Sequence, residues 1–195
     1  MGLGVDFPGI LEAARAGGEW AWAALYRDLA PSVRGYLRAR GASDPDDVLG
    51  EVFLHLVRDL RSFEGSERDF RAWVFTVAHH RLIDSKRYER RRPSVPAPVE
   101  VLAEARPPED PETDALHHLE LERARRFIGR LSVDQQNVLL LRLFGQLTVD
   151  EVAATLGKRP GAVKALQRRG LAALTRELSQ QGVTLRALPT LTRVR

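Results

Sequence analysis

Asp69-Phe-Arg-Ala-Trp-Val-Phe-Thr-Val-Ala-His-His-Arg-Leu-Ile-Asp-Ser-Lys-Arg-Tyr-Glu-Arg-Arg-Arg92 begins as an amphipathic helix and ends as a basic one. Phe70, Trp73, Val74, Val77, Ala78 and Leu82 recur at three- and four-residue steps, so one side of this helix can bury against a core. From Arg81 onward the other side carries Arg81, Lys86, Arg87, Arg90, Arg91 and Arg92 against only Asp84 and Glu89, with Tyr88 among them. A helix anchored at one end and projecting guanidiniums and an aromatic from the other suits a phosphate backbone and unstacked bases. Taken alone, such a charge run reads as a solvated face, so the rest of the chain has to decide.

The totals bound the class. The chain has 195 residues, 44% of them apolar, enough for one medium or two small packed units, and its net charge is +4. With no cysteine, disulfides, thiolate metal sites and cysteine nucleophiles are excluded together. No apolar run approaches the roughly 20 residues that span a bilayer, and the Met-Gly-Leu-Gly-Val-Asp start lacks a signal-peptide pattern, so no membrane insertion is expected and the chain reads as cytoplasmic.

In chain order, Phe7, Ile10, Leu11 and Ala14 mark a first helix ended by Gly17-Gly18. Trp20 to Leu29 makes a second, and Pro31 is expected to restart a third that reaches Gly41. Asp44-Pro-Asp-Asp47 is a strong helix start: an N-cap, a proline at the first helical position, and acids at the positive end of the dipole. The helix runs to about Leu60 with Val48, Leu49, Val52, Phe53, Leu56, Val57 and Leu60 as its buried stripe. Asp47 and Glu51 stay on the exposed side, a like-charged pair at a spacing that repels. Dipole compensation or a basic external partner would each account for them. A polar loop from Glu64 to Asp69 leads into the opening stretch, and residues 1–92 form a first helical domain.

Residues 93–114 change character. They hold six of the eleven prolines, and six acids against Arg106 alone, which describes an extended acidic linker. Residues 115–180 are helical again, with Leu116, Leu119, Ala124, Phe127 and Ile128 turned inward. Ser132-Val-Asp-Gln135 and Thr148-Val-Asp-Glu151 are two capping boxes, the first opening a helix that buries Val138, Leu139, Leu140, Leu141 and Leu143. The second opens a short helix to Leu156; Gly157-Lys-Arg makes a turn, and Pro160 starts a helix reaching about Leu178. Ala153, Gly157 and Val163 supply the small crossing residue, the turn glycine and the branched lock of a helix-turn-helix. Its second helix is expected to expose Lys164, Gln167, Arg168 and Arg169, with Lys158 and Arg159 at the entrance. Residues 181–195 form a tail without clear periodicity. The fold class is all-α: two small helical domains joined by an acidic, proline-rich linker.

This arrangement resembles the bacterial sigma factors of the extracytoplasmic-function (ECF, group IV) type over about residues 20–178. Asp46-Asp-Val-Leu-Gly-Glu-Val-Phe-Leu54 and Phe70-Arg-Ala-Trp-Val-Phe-Thr-Val-Ala78 resemble that family's second region. Leu131-Ser-Val-Asp-Gln-Gln-Asn-Val-Leu-Leu-Leu-Arg142, with Glu151-Val-Ala-Ala-Thr-Leu-Gly157 and Gly161-Ala-Val-Lys164, resembles the fourth. The resemblance implies that Asp44, Asp47 and Glu51 dock core RNA polymerase, giving the repelling acids a basic partner. It implies that Glu67, Arg68, His79, His80, Asp84, Lys86, Arg87, Arg90 and Arg91 handle the melted promoter −10 element. Lys158, Arg159, Lys164, Gln167, Arg168 and Arg169 would meet the −35 duplex, the linker would thread toward the polymerase cleft, and an anti-sigma partner is common in the family. The chain departs from the family at His79-His80, where Arg-Asn is usual, so an imidazole replaces the amide that reads a flipped base; at Glu64; at Phe144-Gly-Gln-Leu147; and at Ala165-Leu-Gln167.

Enzyme classes lack support. Neither His79-His80 nor His117-His118 is a natural chelate, because adjacent helical residues point about 100° apart. No His-Glu-x-x-His, nucleophile elbow or glycine-rich phosphate loop is present, so no catalytic residue, metal or cofactor is expected. A free-standing helix-turn-helix regulator and, more remotely, a small helical nuclease are the competing classes.

Overall fold

The computed structural model describes residues 3–91 and 127–180. The linker, residues 115–126 of the helix expected from Ala115, and the tail fall outside the described residues; the end of that helix, residues 127–129, is helical as expected and packs Ile128 against the core. The helices that lie wholly among the described residues are, in order, α1 (Phe7–Arg15), α2 (Glu19–Ala39), α3 (Pro45–Asp59), α4 (Glu67–Arg91), α5 (Val133–Phe144), α6 (Val149–Leu156) and α7 (Pro160–Gln180), with short 3-10 turns at Gly4–Asp6 and Leu60–Ser62.

Each boundary has a local cause. Asp44 accepts from the backbone amides of Asp46 and Asp47 at 3.1 and 2.9 Å, and Pro45 occupies the first turn of α3. Ser132 and Thr148 form reciprocal capping boxes with Gln135 and Glu151. Helix α2 ends in a Schellman motif: Gly41 takes φ +69°, its amide bonds the Arg38 carbonyl, and Ala42 bonds Leu37.

Two boundaries differ from expectation. Helix α2 runs straight through Pro31 instead of restarting there. Pro31 and Arg27 both lie on the exposed side, so the carbonyl that loses its amide partner can be solvated, while Leu25, Leu29, Val33, Tyr36 and Leu37 stay in one buried stripe. Helix α4 begins at Glu67 rather than at Asp69, because the hydroxyl and amide of Ser66 bond the Asp69 carboxylate and cap it two residues early.

In the first unit, α2, α3 and α4 bury Leu25, Leu29, Tyr36, Leu49, Val52, Leu56, Phe70, Val74 and Leu82 against one another. An aromatic group pins the start of α4: Phe63 stacks on Trp73 at 5.3 Å and meets Phe70 edge-on at 5.2 Å. Arg71 pairs with Asp28 at 2.7 Å, both largely buried, fastening α4 to α2. Val57 and Leu143 were expected inside, but they are 52% and 41% exposed: the partners of α3 and α5 cover a narrower arc than the run of apolar residues suggests.

The second unit packs α5, α6 and α7 through Val138, Leu141, Leu147, Val152, Ala153 and Val163. The two units share one continuous core. Phe144 of α5 lies over Gly35 of α2, where a Cβ would come within 2.6 Å of its ring. Phe75 of α4 sits against Gly145 just after α5. Thr76 and Thr155 exchange a hydroxyl hydrogen bond at 2.8 Å, and Arg68 pairs with Glu151 at 2.9 Å.

Candidate nucleic-acid interface

The helix-turn-helix is built as its spacing requires. Gly157 adopts φ +62°, Lys158 N–H returns to the Ala153 carbonyl at 2.9 Å, and Ala153 and Val163 are buried where α6 and α7 cross. Lys164, Arg168 and Arg169 are exposed on α7, and Arg159 is exposed at its entrance. Lys158 pairs with Asp134 at 2.8 Å, so it is half-committed to holding the turn on α5. Gln167 is a correction: it is 3% exposed and turned into the unit, where Gly170 lets α7 approach Leu139 of α5 closely. It cannot face DNA from that position.

The cationic half of α4 is similarly sorted. Arg87, Arg90 and Arg91 are exposed, as is Asp84, which lies 3.8 Å from Arg87. His80 is exposed and His79 is not. His79 meets the Tyr36 hydroxyl at 2.8 Å, and burial, reinforced by the charges of His80 and Arg40, pushes its pKa down to about 4. The same burial raises the Tyr36 phenol. His79 is therefore a neutral core residue, contrary to its expected place among the −10 contacts. The reason is that α4 is enclosed by α2 and α3 and touched by α6, which widens its buried arc past the stripe seen in sequence. Glu67 is also engaged, its two carboxylate oxygens accepting from the amides of Leu3 and Gly4 at 2.7 and 2.9 Å. Arg68 is 60% exposed at its pair with Glu151.

On α3, Asp47 and Glu51 are exposed as expected, with Leu54 and Val57 uncovered on the same helix at 58% and 52%. Asp44 is exposed but spends its carboxylate on the cap. Asp46, outside the expected set, pairs with Arg34 at 2.6 Å.

Arg40 was not anticipated. It is 6% exposed, and its guanidinium donates to Gln136 Oε1 across the seam between units. Lys86 donates to the Arg40 carbonyl, and its pKa is lowered by burial and by the Arg40 charge. A polar cleft of about 650 Å³ opens at the same seam between Asp28, Ser66, Arg68, Arg71 and Gln146. Among the described residues no cluster of three or more metal-ligating side chains occurs, and no helix is long and apolar enough to cross a membrane.

Two helical units, one ending in a cationic helix and the other presenting a helix-turn-helix, make an all-helical protein with two separate cationic faces. Residues 25–92 match Sigma-70 region 2, and residues 121–174 match Sigma-70, region 4. The chain is 34% identical over 171 residues to the ECF RNA polymerase sigma factor BldN of Streptomyces coelicolor, covering 87% of this chain and 64% of that relative, which is therefore longer. It is 30% identical over 165 residues to the ECF RNA polymerase sigma factor RpoE of Cereibacter sphaeroides, covering 83% of this chain and 88% of that one. Its fold resembles CnrH, solved with the cytosolic domain of CnrY, with a TM-score of 0.64, 23% identity, and 88% and 96% of the two chains covered. It also resembles RpoE of Bartonella quintana, solved with the anti-sigma factor NepR, with a TM-score of 0.59, 18% identity, and 81% and 96% covered. The chain belongs to the ECF RNA polymerase sigma factor family.

Proposed function

We infer that this protein is an alternative sigma factor that binds core RNA polymerase and directs promoter recognition and transcription initiation. The observation that carries this reading is the presence, in one chain, of a region 2 unit with a projecting cationic helix and a region 4 unit with a formed helix-turn-helix.

In this reading α3 docks the polymerase. Asp47 and Glu51 meet basic groups there, and the repulsion between them in the free chain is relieved on docking. Leu54 and Val57 add an apolar patch beside the acids. Lys164, Arg168, Arg169 and Arg159 neutralise phosphates along the −35 duplex as α7 enters the major groove. Arg87, Arg90, Arg91 and Lys86 hold the melted −10 strand, and His80 replaces the amide that would read a flipped base. The −35 and −10 elements would be gripped by separate units, which must move apart from the shared core to span them. Residues 1–92, 115–180 and the linker between them are the proposed divisions of labour. No covalent step is assigned to any residue, in keeping with a family of transcription factors. An anti-sigma partner, of the kind that accompanies the similar Bartonella quintana protein, is a further expectation.

Run-off transcription tests this. Core polymerase on genomic fragments should initiate at defined sites only when the protein is added. A protein that binds duplex tightly alone and never confers initiation would be a free-standing helix-turn-helix regulator instead.

A further inference from the structure

Among the described residues, the interior of the seam holds a charge with no counter-ion. Arg40 is more than nine-tenths buried, yet among the described residues no carboxylate pairs with it, and its Nε has no hydrogen-bond partner. Its cross-seam acceptor is a neutral amide. Gln136 is fixed in that role because its own Nε2 donates to the Leu131 carbonyl at 2.9 Å, leaving Oε1 for the guanidinium. Around Arg40 stand Lys86 on its carbonyl and His79 and Tyr36 behind it, while Glu89 and Arg90 act on Lys86 in opposite senses and neither carboxylate nor guanidinium of that pair reaches Arg40 as a hydrogen-bond partner. A buried charge without a counter-ion is retained at a cost, and an acid at position 136 would have removed that cost. The covered site is thus chemically an anion site filled by a weak stand-in.

Position supports the same conclusion. Arg40 caps α2 with its side chain beside the cationic half of α4, and the group that hides it, Gln136, belongs to the other unit. Separation of the units removes Gln136 and leaves Arg40 next to Lys86 at the edge of the −10 face.

We propose that Arg40 is an additional nucleic-acid contact of the −10 face, whose guanidinium exchanges Gln136 for a DNA phosphate when the two units separate. This rests on the reading that the cationic half of α4 meets the −10 strand. A guanidinium offers a forked pair of donors to phosphate, which an amide oxygen satisfies only in part. Release of the units and capture of the promoter are then coupled, since the charge that destabilises the closed form is satisfied in the bound one.

The test uses the full chain as holoenzyme at saturating core polymerase, with fork-junction DNA built on a start site mapped by run-off transcription. The dissociation constant is followed against salt for wild type, Arg40→Gln and Arg40→Lys. Arg40→Gln should reduce the magnitude of the log–log salt slope by about 0.7 to 0.9, the share of one phosphate, and Arg40→Lys should restore it. In the free chain, fluorescence transfer between labels at Arg61→Cys and Ala172→Cys reports unit separation, a clean pairing because the chain has no cysteine of its own. Gln136→Ala should raise the separated population. An unaltered salt slope for Arg40→Gln, or an unaltered distance distribution for Gln136→Ala, overturns the proposal. Failure of the wild-type holoenzyme to bind any mapped promoter would instead remove the functional reading beneath it, and the proposal with it.

Discussion

Gly145→Ala is the substitution whose effect the seam geometry determines most closely. A Cβ at this position would lie 2.7 Å from the Leu141 carbonyl oxygen, 3.0 Å from Leu147 Cγ and 3.0 Å from Phe75 Cγ. The first contact is with backbone at the end of α5, and that oxygen is already held by the Gly145 amide at 3.1 Å. The third is with a ring that is fully buried in the other unit, so neither neighbour can swing clear. Overpacking of this kind costs about 1–3 kcal/mol. For a chain of this size about 2 kcal/mol corresponds to a fall in Tm of roughly 4–8 °C. Calorimetry of the full chain reads the loss, and a cycle with Phe75→Leu separates its parts: the portion due to the ring should be recovered in the double variant, the portion due to the Leu141 carbonyl should not. A Tm for Gly145→Ala within a degree of wild type would show that the two units do not share a packed core.

Three further outcomes follow from particular side chains. Asp47→Asn with Glu51→Gln should weaken core-polymerase binding at low salt while leaving the thermal midpoint within about 2 °C, since both groups are exposed surface charges; undiminished affinity in a binding titration would remove α3 as the docking helix. Lys164→Ala and Arg168→Ala should each lower the salt slope of promoter binding by about 0.9, whereas Gln167→Ala should leave the slope alone and lower stability, because Gln167 is interior. His79 protonates at about 4 in the folded chain against 6.5 unfolded, so the unfolded state binds the proton first and stability is lost as pH falls from 6.5 to about 4. At about 1.4 kcal/mol per unit the loss is about 3 kcal/mol, and a urea titration series should show it flattened in His79→Asn.

What could be read from the residues was the local chemistry. The Asp44, Ser132 and Thr148 caps and the Gly157 turn each depend on side chains within four residues of one another, and all stand where their pattern put them. Asp47, Glu51, Lys164 and Arg168 are exposed for the same reason: they lie opposite apolar stripes. The misreadings fall where packing at a distance decides. His79 looked like the start of the basic face because the stripe on α4 seemed narrow, but helices on several sides enclose it. Gln167 lies four residues after Val163 and three before Gly170, a spacing that marks the buried face, yet its polarity suggested the opposite. Pro31 looked like a boundary because a proline removes one amide, whereas the burial of Leu25 through Leu37 holds the helix across it. Arg40 carried no signal at all, since its partner lies 96 residues away in the other unit.

Directed cleavage of promoter DNA tests the central claim, that one chain holds two ends of a single start signal with two different helices. Single labels at Glu89→Cys on α4 and Ala162→Cys on α7 each carry an iron chelate in the assembled holoenzyme. The label on α4 should cut around the −10 element and the label on α7 around the −35 element of the same promoter. Cuts at one shared element from both positions, or initiation with no cutting from either, would contradict it.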